Sequence, residues 1–254
     1  MSIKLKNEKD LEMLRVSGKI LAQTLKTLEE KAQVGTKLSE LEDLAKKLIK
    51  ESGAKPSFLG YKPEGAKKGY PAAICASVNE KIVHGIPDDY ILKNGDILKI
   101  DLGVNYKNYF TDSAITVPIG RVSSQAEKLI QITKDALNSA IKICTAGNRL
   151  GDIGFVVEKT VKSAGFSVAK GLTGHGVGFE IHEDPTIYNY GDKGTGMILE
   201  PGMVLAIEPM VAIGSGDIKQ LADDSFVMKD GSLSAHFEHT IAIVSKSVEI
   251  LTEL

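Results

Sequence analysis

One short pattern occurs twice in this chain, far apart, and it limits the fold more than any single segment does. Gly95-Asp-Ile-Leu-Lys-Ile-Asp101 and Gly202-Met-Val-Leu-Ala-Ile-Glu208 both read Gly-x-x-Leu-x-Ile-acid at identical spacing. A second match pairs Asp112-Ser-Ala-Ile-Thr-Val117 with Glu238-His-Thr-Ile-Ala-Ile-Val244, an acid leading an apolar, strand-like run. Helical patterns precede the paired strands in both halves. The arrangement predicts an α/β (α+β) fold with pseudo-two-fold halves around a curved antiparallel sheet whose centre gathers four acids. Burying an unpaired carboxylate costs several kcal/mol or forces it to neutralise, and Lys and Arg are scarce in these runs. A strand carboxylate taken singly is more often salt-bridged or at an edge; it is the paired repeat that calls for a cation.

With 254 residues, 43% of them hydrophobic, the chain can bury a full core. We take 1–254 as a single domain, built as one large body or as two fused lobes. A net charge of −2 leaves no basic stripe for a phosphate backbone, so nucleic acid is not an expected partner. Two cysteines, Cys75 and Cys144, both in apolar surroundings, fit a reducing compartment without disulfides. The amino terminus lacks an apolar signal core, and no run approaches the ~20 apolar residues of a membrane span. These features lead to the expectation of a soluble, cytoplasmic protein, without membrane contact, acting as a monomer.

Periodicity predicts a helix from about Glu8 to Ala32, with Leu11, Leu14, Ile20, Leu21, Leu25 and Leu28 on one face and Gly35 as the stop. A second helix is expected to begin at a Ser39/Glu42 capping box and to end at Gly53. Residues 54–71 carry three prolines and three glycines among lysines and read as an irregular loop. Strands are predicted at 72–79, 96–103 and 109–117, then helices from about Ser124 to Cys144 and Asp152 to Ala164, then mostly strand and loop. Asp230-Gly231 between β-rich runs predicts a hairpin laying 218–229 alongside 235–244.

Asp101 and Asp112 are eleven residues apart across a turn expected at about 105–107, so an antiparallel pair can set both on one face. His175 lies in Gly174-His-Gly-Val-Gly178, where glycines let the backbone approach a ligand. Four carboxylates (Asp101, Asp112, Glu208, Glu238) and one imidazole, without thiolates, suit Mn, Fe, Co or Zn, in a two-metal centre ~3.5 to 4 Å across. His236, two residues before Glu238, is expected on the same face, behind the ligands.

Together, Asn79–Asp88 with His84, Ile100-Asp-Leu-Gly103, Phe110-Thr-Asp112, Gly174–Gly178 with His182-Glu-Asp-Pro185, Ala206-Ile-Glu-Pro209 and Ser232–Thr240 resemble the methionine aminopeptidase family, in its bacterial type I form. The likeness covers essentially the whole chain. It implies a pita-bread fold that removes the N-terminal methionine from peptides and nascent proteins, by attack of a metal-bridging water or hydroxide on the first peptide bond. It further implies two divalent ions, Asp101 holding one, Asp112 and Glu238 bridging both, and His175 and Glu208 completing the second. Glu208 is then the relay for the water proton, His182 the oxyanion donor, and His84 the group that orients the scissile amide or helps protonate the leaving nitrogen; His84 and His182 both touch substrate. Tyr61, Tyr70, Cys75 and Ile181, with Phe58 as a weaker fifth, are the matching positions for the methionine pocket. The chain departs from the family pattern in three ways: Ile181 replaces an aromatic, the loop from Tyr61 to Tyr70 is longer, and no tryptophan is present. That loop is the segment considered for contact with a ribosome surface. The alternatives are an X-Pro aminopeptidase or prolidase, usually larger at the amino end, and a non-enzymatic peptide-binding relative, in which the ligands would be replaced.

Overall fold

In a computed structural model of the protein, residues 3–62, 68–245 and 247–254 are described. The middle of the predicted 61–70 loop, residues 63–67, lies outside them. The first half of the chain runs α1 (Glu8–Lys31), α2 (Leu38–Glu51), β1 (Lys55–Pro56), β2 (Ile74–Val78), β3 (Lys81–Val83), β4 (Ile97–Tyr106) and β5 (Tyr109–Pro118). The second half runs α3 (Ser124–Ile143), α4 (Leu150–Ser163), β6 (Ser167–Val168), β7 (Thr173–Gly176), β8 (Glu183–Tyr188), β9 (Val204–Ile207), β10 (Met210–Ala212), β11 (Ile218–Gln220), β12 (Phe226–Met228), β13 (Ser234–His236), β14 (His239–Val244) and β15 (Ser247–Ile250). Two helices followed by acid-bearing strands therefore occur in each half, as the repeat predicts.

Local chemistry starts each helix. The Asn7 side chain accepts from Asp10 N and the Asp10 carboxylate from Asn7 N, closing a capping box on α1. The box expected at Ser39 and Glu42 does not form. The helix starts two residues earlier, where the Glu40 carboxylate accepts from Lys37 N at 3.1 Å. Glu42 is instead buried and accepts from Ala73 N and Ile74 N at 2.8 and 3.0 Å, tying α2 to the start of β2. Ser123 caps α3, and α4 begins two residues before Asp152, whose carboxylate accepts from Arg149 N.

β4 and β5 form a ten-residue antiparallel ladder closed by Lys107 and Asn108, both at positive φ (52° and 67°), the backbone of a two-residue primed turn. Strand alternation sends Leu98, Ile100 and Leu102 to the face covered by α1 and α2, while Lys99, Asp101 and Gly103 take the opposite face. In the second half β15-β14-β9-β7-β8 form one sheet, and α3 and α4 pack over Leu205, Ile207, Ile241 and Ile243. The halves meet where Glu238 N donates to Ala114 O at 2.9 Å and Asp112 N donates to Thr240 Oγ1 at 2.9 Å. The acids lie along this seam.

The hairpin predicted at Asp230-Gly231 is not present. β12 pairs with β11 and β3, and β13 pairs with β10. Both edges of β14 are already occupied, by β9 and β15, so 218–229 has no edge to join. Asp230 holds its own turn, accepting from Ser215 N and Ser232 N at 2.8 and 3.0 Å. The hairpin signal sits instead between β11 and β12, around Asp223 and the positive-φ Asp224.

Candidate active site

The β4–β5 register sets Asp112 opposite Gly103 and Asp101 opposite Ala114, so the two aspartates are diagonal neighbours on one face. Glu208 follows the last residue of β9 and Glu238 precedes β14, where Ile207 faces His239; the glutamates thus flank the open end of that pair. His175 is held on β7, opposite Ala206. Ligating atoms of Asp101, Asp112 and Glu238 lie within 4.8 Å of one another, as do those of His175, Glu208 and Glu238. All five residues singled out by the sequence are brought together.

Their electrostatics fit divalent cations. Asp101 Oδ1, Asp112 Oδ1 and Glu238 Oε1 are sealed from solvent without a hydrogen-bond partner. Burial first, then mutual repulsion, pushes Asp101, Glu208 and Glu238 well above the usual carboxylate range. Asp112 is pushed up to about 7, chiefly by burial. His175 supplies the clearest sign. Its Nδ1 is 2.9 Å from Gly176 O, and a carbonyl only accepts, so the proton sits on Nδ1 and Nε2 presents a lone pair. That lone pair faces Glu208 Oε1 at 3.5 Å and Asp112 Oδ2 at 3.8 Å. Lone pair against carboxylates is repulsive unless a cation lies between them.

His182 stands over the cluster, its ring centroid 4.4 Å from that of His175 and 4.9 Å from that of Tyr61. Desolvation, then His175 and His84, lowers its proton affinity to about 3, so it is neutral at physiological pH. His84 follows β3 at a positive φ of 59°, its ring edge-on to Phe226 at 5.6 Å. His239, beside Glu238, points away, its Nδ1 2.9 Å from Thr252 Oγ1.

Phe58, Cys75 and Ile181 form a buried apolar group with Tyr61 and Tyr70 packed on it, so the pocket candidates also converge. The Tyr70 hydroxyl lies 2.9 Å from Gly85 O and 3.1 Å from Ile74 O, which fixes its ring. Sequence reasoning missed two members. Phe110 joins the group, and a Cβ on Gly103 would stand 2.9 Å from Ile181 Cδ1 and 3.1 Å from Phe58 Cε1. Both were findable by alternation, since Phe110 is two residues from Asp112 and Gly103 two from Asp101.

Residues 12–245 match the sequence profile of metallopeptidase family M24. The chain is 45% identical over 249 residues to the methionine aminopeptidase of Clostridium perfringens, covering 98% of each. It is 43% identical over 250 residues to methionine aminopeptidase 1 of Bacillus subtilis, again covering 98% of each. The fold superposes on the methionine aminopeptidase of Thermotoga maritima with a TM-score of 0.95 at 40% identity, covering 100% of both chains. A prolidase from Pyrococcus furiosus shares the fold at a TM-score of 0.80 and 22% identity, with 98% of this chain but 65% of that one covered. The architecture is the pita-bread fold common to these proteins. On sequence and structure alike, the chain belongs to metallopeptidase family M24 and, within it, to the methionine aminopeptidases.

Proposed function

We propose that this chain removes the N-terminal methionine from peptides and nascent chains, with Asp101, Asp112, His175, Glu208 and Glu238 holding two divalent ions. Asp101 would serve one ion, Asp112 and Glu238 would be shared, and His175 and Glu208 would serve the other; Co, Mn, Fe and Zn all suit this donor set. Such ions supply Lewis-acid polarisation of a carbonyl and a lowered proton affinity for water. The observation that carries the reading is the lone pair of His175 Nε2 facing carboxylates whose buried oxygens have no other partner.

The protein's own groups supply the remainder. Glu208 takes the proton of the attacking water and passes it to the leaving nitrogen. His182, a neutral imidazole with one N–H, donates to the developing oxyanion, and His84 orients the scissile amide. The free α-amine of the substrate meets the acid cluster, which restricts cleavage to the first bond. Phe58, Tyr61, Tyr70, Cys75, Ile181 and Phe110 form an apolar pocket suited to an unbranched thioether. The reading takes 1–254 as one catalytic domain, a cytoplasmic monomer with reduced thiols; both cysteines are free and buried, and among the described residues no helix is long and apolar enough to cross a membrane. A ribosome surface is the further partner proposed for the 61–70 loop.

The test is hydrolysis of Met-Ala-Ser against Ala-Pro-Ala, with chelator and after adding back Mn or Co. Cleavage of the methionyl peptide alone, lost in chelator and restored by metal, is expected. Turnover confined to the X-Pro peptide, or indifferent to chelator, would sink the reading.

A further inference from the structure

Glu208 lies between two imidazoles. Its Oε1 is 3.5 Å from His175 Nε2 and its Oε2 is 3.5 Å from His236 Nε2. The rings cannot play the same part. His175 is locked by Gly176 O as the tautomer with a bare Nε2. His236 is 1% exposed and neither of its ring nitrogens has a hydrogen-bond partner, so no neighbour dictates its tautomer except the carboxylates it faces. Those are Glu208 Oε2 and, at 4.0 Å, Glu238 Oε2. With both carboxylates ionised, as ligands to cations are, a lone pair on Nε2 would be repelled by both, so the stable tautomer then carries its proton there. The backbone that carries the ring is well anchored: Thr116 Oγ1 accepts from His236 N at 2.9 Å and donates to His236 O at 2.7 Å.

We propose that His236 is a positioning residue, donating Nε2–H to Glu208 so that the other Glu208 oxygen is presented beside His175, with Glu238 steadied by the same ring. The contact is one small carboxylate rotation from hydrogen-bond length. This inference rests on the reading of the five residues as metal ligands. Outer partners of this kind typically set metal affinity by 10- to 100-fold. A leucine in place of His236 keeps the bulk and loses the donor, whereas a glutamine keeps an N–H of similar reach.

Calorimetric titration of metal-stripped protein with Mn, together with melting of the metal-free and Mn-loaded forms, tests it. His236→Leu is expected to bind Mn ~10- to 100-fold more weakly than the wild type, and His236→Gln to stay within a few-fold. Metal-free His236→Leu is expected to melt no lower than metal-free wild type, because the ring nitrogens lack a hydrogen-bond partner until Glu208 is drawn into place around an ion; only its Mn-induced rise in Tm shrinks. Should the Leu variant not fold, His236→Asn, whose shorter amide falls short of Glu208, takes its place. Equal Mn affinity in wild type and Leu variant, or equal impairment of Gln and Leu variants, overturns the proposal. A melting loss that is the same with and without Mn does so too, because it marks a packing role. Wild-type protein that takes up no Mn overturns the ligand assignment itself, and this inference with it.

Discussion

The two halves carry the same acid-and-strand pattern but support it differently. In the first, Asp101 and Asp112 sit on one uninterrupted hairpin, ten residue pairs long and closed by two residues. In the second, β10 to β13 intervene between Glu208 and Glu238, and the glutamates flank the end of a four-residue pairing instead of lying within it. Local pairing alone places the aspartates. The glutamates need help from elsewhere: Asn189 Nδ2, just past β8, donates to Glu208 O at 2.9 Å, and His236, on the detour, faces both carboxylates. The first half is a self-contained half-site, while the second is assembled from distant segments.

Asp112 gives the largest expected effect, since it sits at the seam, and the proposed function has it shared by both ions. Asp112→Asn should lower kcat/KM by at least ~1000-fold, about 4 kcal/mol of transition-state stabilisation, and reduce the bound metal. In chelator the same variant should melt at or above the wild type, because one of four mutually repelling carboxylates is gone. Elemental analysis and melting with and without chelator check both halves of this; full activity with two metals would refute the shared role.

This contrast also explains what could be read from the residues. The β4–β5 hairpin and its two acids were legible because the periodicity, the turn and both carboxylates lie within twenty-odd neighbouring positions. The repeat then located Glu208 and Glu238, and the ligand set followed. The detour was not legible. Asp230-Gly231 is a good local hairpin signal, but β9 and β15 already occupy both edges of β14, and no local pattern reports an occupied edge. Glu42 misled for a similar reason, a capping-box residue by spacing that tertiary structure uses on Ala73 and Ile74 instead. His236 was placed on the right face by alternation, yet its relation to Glu208 depends on a fold-back that alternation does not reveal.

Paired variants sharpen the distinction between halves. Glu42→Ala leaves two buried backbone donors unsatisfied in the first half and should cost about 2 to 4 kcal/mol in urea unfolding, with kcat/KM preserved at temperatures where it is folded. Asn189→Ala removes one bond in the second half and should cost only about 1 kcal/mol, yet lower activity more than Glu42→Ala does, because the lost bond holds the backbone of Glu208. Equal activity losses in the two would remove the claimed difference in support.

A smaller effect is expected at Gly103, whose missing side chain leaves room between Ile181 and Phe58. Gly103→Ala should raise KM for methionyl peptides ~10-fold, about 1.4 kcal/mol, with kcat and bound metal little changed. A fall in kcat at constant KM would place the damage at the neighbouring Asp101 and not in the pocket.

The smallest effect concerns Lys99, the fully buried lysine on the acid-bearing face of β4, whose Nζ donates to Asn79 O at 2.6 Å. Desolvation lowers its pKa from 10.5 to about 7 in the folded protein. Between those values the unfolded chain holds a proton that the folded one does not, so this group's contribution to stability rises with pH across that window. Below about 7 its burial penalty is fully present. Lys99→Met, which removes the charge and keeps the stem, should therefore compare best with the wild type near pH 6.5, and its advantage should shrink towards pH 9.5. Melting temperatures of both proteins at matched metal content, read at the two pH values, decide it. A difference that does not change with pH would mean that Lys99 keeps its proton throughout, with the first half-site then carrying a permanent internal cation beside its acids.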